Sequence, residues 1–182
     1  MSAVEIVRHR AAICGYLSDA SSGVGIAGAT VGIPGNGLQT QTDADGFYYF
    51  LDLADGSYTL QAAAPALGSR YGAVTVSGVT VASDGNGHPV LDAKGNLALP
   101  ATALTGLVRR SDTLAPIPYA DVLLRASNTQ VKTNKAGQYA LSAVEAGTQT
   151  VQVSAIGFAT LSQPVGLSAG QNTVVNFNLT PS

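Results

Sequence analysis

The chain has no tryptophan, one cysteine, one methionine and two histidines among 182 residues, and each scarcity excludes something. With only Cys14, no intrachain disulfide can form. Its place in the apolar run Ala11-Ala12-Ile13-Cys14 predicts a small buried hydrophobe rather than a reactive thiol. Two histidines, His9 and His88, stand in unrelated settings, so a zinc site built from several imidazoles is excluded within one chain. Charged residues make up only 11% and the formal net charge is −2, which leaves no basic surface for phosphates and argues against a nucleic-acid partner. Aromatic residues at 6%, without tryptophan, supply few platforms for stacking sugars. No stretch approaches the length of a membrane span. Met1 to Arg10, with Glu5, Arg8, His9 and Arg10, has no apolar run like the core of a signal peptide. The chain therefore reads as made in the cytoplasm, with an exported or extracellular particle as one destination, although one whose leader had been removed would look the same.

What is abundant is Ala, Val and Leu interleaved with Gly, Thr and Ser, and apolar residues reach 46%. Two stretches of this material match at a fixed offset of 91 residues. Gly15 falls on Gly106, Ala29 on Ala120, Val31 on Val122, Thr42 on Thr133, Gly46 on Gly137, Tyr48 on Tyr139, Gly56 on Gly147 and Thr59 on Thr150. Most of these are turn glycines or apolar positions, so what was duplicated is a backbone and a core, with no shared set of reactive side chains. The expected division is 1–102 and 103–182, with a short Pro100–Thr102 junction that restricts relative motion.

Apolar and polar residues alternate with period two, and no window keeps helical spacing. Tyr58, Leu60, Ala62 and Ala64 share one face, as do Val151, Val153 and Ala155, which predicts half-buried strands. Asp45-Gly46, Asp55-Gly56, Ala136-Gly137 and Ala146-Gly147 punctuate them as tight turns. Strands are predicted near 11–18, 28–33, 38–42, 47–51, 57–64, 71–76, 79–82 and 96–100, and again near 103–109, 119–125, 129–133, 138–142, 148–155, 160–166 and 173–179. The endings Asn96-Leu97-Ala98-Leu99 and Asn176-Phe177-Asn178-Leu179 correspond at an offset of 80, so copy one carries about eleven extra residues within 83–95. That insertion, rich in Gly, Asp and Asn, is expected to be an exposed loop.

These residues carry a family resemblance. Gly15, Gly28-Ala29-Thr30-Val31, Thr42 to Phe50 and Leu53 to Tyr58 resemble the carboxypeptidase regulatory-like domain, as do Gly106, Tyr119 to Val122, Thr133 to Tyr139, Val144 to Gly147 and Ala155 to Phe158. Gln149 stands where that family usually has an aromatic, and Pro65-Ala66-Leu67 replaces a Gly-aromatic pair. The resemblance implies two tandem seven-stranded, transthyretin-like (Ig-like) β-sandwiches, all-β, used as a non-catalytic accessory or interaction module with no catalytic residue and no cofactor.

Candidate chemistry is sparse. Asp43-Ala44-Asp45-Gly46 begins like a calcium loop, with Asp52 and Asp55 nearby, but position 54 is Ala54 and copy two replaces the acids with Asn134 and Ala136, so an Asx turn is expected and no metal is assigned. Asp84, Asn86, His88 and Asp92 in the insertion would surround a metal only if that loop folded back on itself. No Gly-x-Ser-x-Gly elbow is present, which argues against a hydrolase. Leu99-Pro100-Ala101-Thr102-Ala103 resembles a sortase signal but is internal, and is read as the linker.

One difference between the copies stands out. Tyr48 and Phe50 match Tyr139 and Leu141 and are expected inside, while Phe47, Tyr49 and Leu51 alternate with them where copy two has Gln138, Ala140 and Ser142. Three large apolar residues on one outer face form a candidate protein interface, covered by the second domain, by the insertion or by a partner. The expected role is a structural or interaction subunit of a larger assembly, such as a phage-tail-like contractile injection particle, contacting protein partners or further copies of itself. The alternative is a secreted cell-surface module that binds carbohydrate or another ligand.

Overall fold

A computed structural model of the chain describes residues 9–182. Close contacts group them into two units: residues up to Ala66 with Ala73–Leu99, and Leu67–Gly72 with Pro100–Ser182. Among the described residues no helix is long and apolar enough to cross a membrane.

Unit one contains β1 (Ala11–Asp19), β2 (Thr30–Ile33), β3 (Leu38–Gln41), β4 (Phe47–Leu51), β5 (Gly56–Ala63), β6 (Val74–Ser83), β7 (Pro89–Val90) and β8 (Leu97–Leu99). They form a sheet ordered β4-β1-β8 and another ordered β3-β2-β5-β6-β7. Leu17, Val31, Tyr48, Leu60, Val79 and Leu99 are its most completely buried large side chains. The insertion is not one loose loop: it turns back as β7, antiparallel to β6, and then makes a 3-10 turn at Ala93–Gly95. The two strands expected at 71–76 and 79–82 are a single β6. Gly78, at φ 73°, lies beside a register shift at Tyr58/Leu60 of β5, so a bulge absorbs the irregularity that reads as a break in the sequence.

Unit two repeats the plan with β9 (Ala103–Arg110), β10 (Asp121–Leu124), β11 (Thr129–Lys132), β12 (Gln138–Leu141), β13 (Gly147–Ser154), β14 (Leu161–Leu167), β15 (Asn172–Val174) and β16 (Phe177–Leu179). Its sheets are β11-β10-β13-β14 and β12-β9-β15, with β16 following β15 along β9. Among the described residues each unit has eight strands: β15 and β16 lie end to end along β9, and β7 has no counterpart in unit two. The predicted strand at 173–179 is interrupted because Asn176 uses its side-chain oxygen to accept the Leu107 N–H at 2.9 Å. Asn96 does the same for Tyr16 at 3.0 Å. Leu17 pairs with Leu97 and Val108 with Phe177, both in parallel, which places the offset-80 endings in equivalent positions.

The identities shared by the copies are explained by this frame. A Cβ on Gly15 would lie 2.1 Å from the Gly95 carbonyl oxygen, and one on Gly106 would lie 1.7 Å from that of Val175. Tyr48 donates its hydroxyl to Gly95 O at 2.5 Å and Tyr139 donates to Val175 O at 2.7 Å, and burial raises both phenol pKa values. Buried Thr42 and Thr133 each donate to one loop carbonyl, Ile26 or Ile117, and accept one loop N–H, Ala29 or Ala120.

The segment Leu67–Gly72 belongs by its contacts to unit two although it lies within copy one of the sequence. Glu145 accepts the Ser69 N–H (2.9 Å), the Ser69 hydroxyl (2.7 Å) and Arg70 Nε (2.9 Å), and these three bonds hold its carboxyl below the usual range. Thr102, fully buried, donates its hydroxyl to Ser69 O and accepts the Gly170 N–H, both at 2.8 Å.

Candidate interaction face

On β1 the inward positions are Ile13, Gly15 and Leu17, so Cys14, Tyr16 and Ser18 point outward. On β4, Tyr48 and Phe50 are buried while Phe47, Tyr49 and Leu51 lie on the outer face. The β1–β4 register sets Tyr16 opposite Phe47 and Cys14 opposite Tyr49, which makes both direct cross-strand pairs. Ring centroids are 5.3 Å apart for Tyr16/Phe47 and 6.2 Å for Phe47/Tyr49. Tyr16 is 54% exposed, Tyr49 50% and Leu51 40%, so the stripe is open to solvent while its members touch one another. Ser18, Asp45 and Asn96 border a shallow recess beside Tyr16 and give the apolar strip a polar rim.

The three residues singled out in the sequence therefore do share one outer face. Tyr16 was missed, because only the β1–β4 register brings it beside Phe47. The expectation that Cys14 is buried is corrected: it is only partly buried, since a register irregularity between Ala11 and Ile13 turns Ala12 and Ile13 both inward and leaves Cys14 on the outer side. In unit two the same sheet face carries Thr105, Leu107, Arg109, Gln138 and Ala140, so it has no aromatic stripe.

The other candidates disperse. Asp43 accepts the N–H groups of Asp45 and Phe47 at 2.9 Å, closing an Asx turn that Asn134 builds identically with Ala136 and Gln138. Asp52 and Asp55 lie beyond the far end of β4. Asp52 instead bonds His9 Nδ1 at 2.5 Å and the Arg10 N–H at 2.8 Å, with its carboxyl held low chiefly by His9. Asp84 closes the β6–β7 turn by accepting the His88 and Asn86 N–H groups at 2.8 Å, and these hold its carboxyl low. Asp92 caps the 3-10 turn through the Lys94 N–H and accepts from Thr80, so it does not converge with Asp84 and His88. Among the described residues no group of three or more His, Cys, Asp or Glu side chains is arranged to hold a metal. Pro100–Ala103 lies within unit two, where Ala101 bridges Tyr71.

Fold and face together define a tandem β-sandwich in which the outer β4-β1 face of unit one is open and apolar. Residues 12–93 and 103–180 both match the carboxypeptidase regulatory-like domain, and the chain belongs to that family. No curated relative matches the sequence. Among solved structures, the chain is similar to the Bacillus anthracis TIE protein (14% identity, 94% of this chain and 34% of that one, TM-score 0.42). It is also similar to the shaft pilin SpaA from Lactobacillus rhamnosus GG (9% identity, 96% and 97%, TM-score 0.40). A type II cohesin-X-dockerin complex from Acetivibrio cellulolyticus matches at 20% identity over 42% of this chain and 53% of that one, TM-score 0.36. The chain thus spans about half of the last and about a third of the first.

Proposed function

We propose that the protein is a non-catalytic structural or interaction subunit of a larger protein assembly, and that it joins that assembly through the outer β4-β1 face of unit one. The observation that carries this reading is the aromatic stripe of Tyr16, Phe47 and Tyr49, continued by Leu51, which occurs in one copy of a duplicated fold and not in the other. The second copy folds on the same strands without it, so the stripe is dispensable for the fold. Aromatic side chains with a polar rim are the usual composition of a protein contact centre. A contractile injection particle is the kind of assembly that this role fits.

The test is recovery of the assembly from its native source with the tagged chain, followed by mass spectrometry, repeated with Phe47→Gln, Tyr49→Ala and Leu51→Ser combined. The triple variant is expected to keep its cooperative unfolding and to bind the recovered partner at least about tenfold more weakly, since burial of such side chains contributes about 25 cal/mol per Å² before association costs. Unchanged partner recovery would remove the face from consideration, and recovery of glycans alone would favour a sugar-binding module.

A further inference from the structure

The β9–β10 loop of unit two and the β1–β2 loop of unit one share a backbone. Arg110 N–H bonds Ala115 O as Asp19 N–H bonds Val24 O, Leu114 N–H bonds Arg110 O as Gly23 N–H bonds Asp19 O, and Tyr119 N–H bonds Thr133 O as Gly28 N–H bonds Thr42 O. Two positions of this loop take a left-handed backbone, filled in unit one by Gly23 (φ 73°) and Gly28 (φ 67°) and in unit two by Leu114 (φ 58°) and Tyr119 (φ 59°). That conformation is disfavoured for any residue with a Cβ, and bulky side chains rarely occupy it. Leu114 and Tyr119 nevertheless stand there, and they are 58% and 60% exposed. A third apolar side chain, Ile156 of the β13–β14 loop, is fully exposed where copy one has Pro65.

These side chains share one end of unit two, and that end is basic. The register Asp121↔Ser154 brings the β9–β10 and β13–β14 loops together, and the Arg110 guanidinium, 5.6 Å from the Phe158 ring centroid, ties them. The β11–β12 turn, which carries Lys135, joins them through the bond from Val108 N–H to Gly137 O. It packs on the β9–β10 loop closely enough that a Cβ on Gly137 would lie 3.0 Å from Pro116 Cβ, and Arg109 bridges the same Pro116. The acids at this end are Asp112 and Asp121, and both are paired, with Arg110 at 2.7 Å and Lys132 at 2.6 Å. Among the described residues neither Arg109 nor Lys135 has an acidic partner. Glu145, the third acid of residues 100–182, precedes β13 at the opposite end, where it bonds Ser69 and Arg70.

Copy one differs at every one of these positions. Ser18 and Ala44 stand in the places of Arg109 and Lys135, Gly23, Gly28 and Pro65 in those of Leu114, Tyr119 and Ile156, and Asp43 and Asp45 in those of Asn134 and Ala136. The same backbone thus carries exposed apolar side chains with unpaired cations in copy two, and glycine with acids in copy one. Apolar tips backed by cations are the composition of an interfacial membrane seat, in which the tips enter the acyl boundary, a tyrosine ring suits the headgroup level and cations meet anionic headgroups. Side chains that project from two loops would need a fitted pocket in a protein partner, whereas a fluid bilayer needs none. We propose that this end of unit two docks on an anionic lipid surface, with Leu114, Tyr119 and Ile156 inserted at the headgroup boundary and Arg109 and Lys135 against the headgroups. Because the whole chain has a formal net charge of −2, the attraction is local to this end and orients unit two on the surface. The Tyr16/Phe47/Tyr49 face takes no part in it.

Co-sedimentation of the full chain with phosphatidylcholine vesicles, with and without phosphatidylserine, tests the proposal. Binding is expected only where phosphatidylserine is present, and it should weaken in high salt. The double variant Leu114→Gly/Tyr119→Gly, which restores the residues of the other copy, should weaken binding at least about tenfold without lowering the thermal midpoint, because glycine suits that backbone. Arg109→Ser/Lys135→Ala, again the residues of the other copy, should weaken it about as much. Arg125→Ala, at the far end of β10, should leave it unchanged. Since the chain has no tryptophan, Tyr119→Trp supplies a single reporter whose emission should shift to shorter wavelength on vesicle binding. No binding to phosphatidylserine vesicles, binding indifferent to either double variant, an equal loss with Arg125→Ala, or an unshifted emission from the bound chain would overturn the proposal. Tip-dependent association with a protein partner or a second copy, without vesicle binding, would assign the tip to a protein contact and overturn it equally.

Discussion

Thr42 and Thr133 show how much a duplicated residue can be asked to do. Each hydroxyl lies in the core and makes two hydrogen bonds that fasten the loop after the first strand to the turn before the fourth. Loss of such a group leaves a buried carbonyl and a buried N–H unsatisfied, at about 1–3 kcal/mol. Thr133→Val, which keeps the shape and removes the hydroxyl, is expected to destabilise unit two by that amount in denaturant titrations, while Thr133→Ser should retain most of the stability. Gly15, Gly106, Tyr48 and Tyr139 recur for a related reason, close approach of the last strand's lead-in to the first strand. Their recurrence was visible in the sequence, but the carbonyls they serve, Gly95 O and Val175 O, lie 80 and 69 residues away from the glycines and carry no local signal.

Among the elements, the insertion differs most from its expected form. A polar Gly/Asp/Asn stretch reads as loop because turn chemistry dominates it, yet Asp84 organises the turn and lets Pro89–Val90 pair with β6. Asp84→Ala should speed amide exchange across residues 83–90 while changing global stability by less than about 1 kcal/mol, because this hairpin is peripheral to the unit-one core. A global loss as large as that of Thr133→Val would mean that the hairpin supports the core. The outer face of β4 was legible from strand parity alone. The contributions of Tyr16 and Cys14 were not, because parity fixes which side a residue takes within its own strand and says nothing of which strand lies next to it.

At the scale of the whole molecule, several carboxylates are held below their ordinary pKa: Asp52 by His9, Asp84 and Asp92 by backbone N–H groups, Asp121 by Lys132, Glu145 by Ser69, and Asp112 down to about 2 by Arg110. A depressed folded-state pKa contributes stability that is present above the unfolded-state value near 4 and lost as pH falls through the folded value. Thermal midpoints should therefore be flat above about pH 5 and decline from about pH 4 toward 2, gently and less so in salt because these groups are exposed. A decline beginning near pH 6 would show that these carboxylates are not its cause. The division expected from the sequence at 102/103, where the contacts instead divide the chain at Leu99/Pro100, gives a further test: both 1–102 and 103–182 should unfold cooperatively. The second should be weaker than in the full chain, because it lacks Thr102 and the Ser69 and Arg70 groups that satisfy Glu145; adding Pro100–Thr102 should restore only part of the difference. The sequence by itself determined the all-β class, the duplication, the turns and which side of β4 faces out, because these depend on local periodicity, glycine and an internal copy for comparison. Only the tertiary structure decided that Leu67–Gly72 is held by unit two, that Tyr16 completes the aromatic stripe, and that Leu114 and Tyr119 take a left-handed backbone where the other copy has glycine. Each of these depends on which distant backbone groups and strands become neighbours, and that is set by packing across the sheets rather than by any run of adjacent residues.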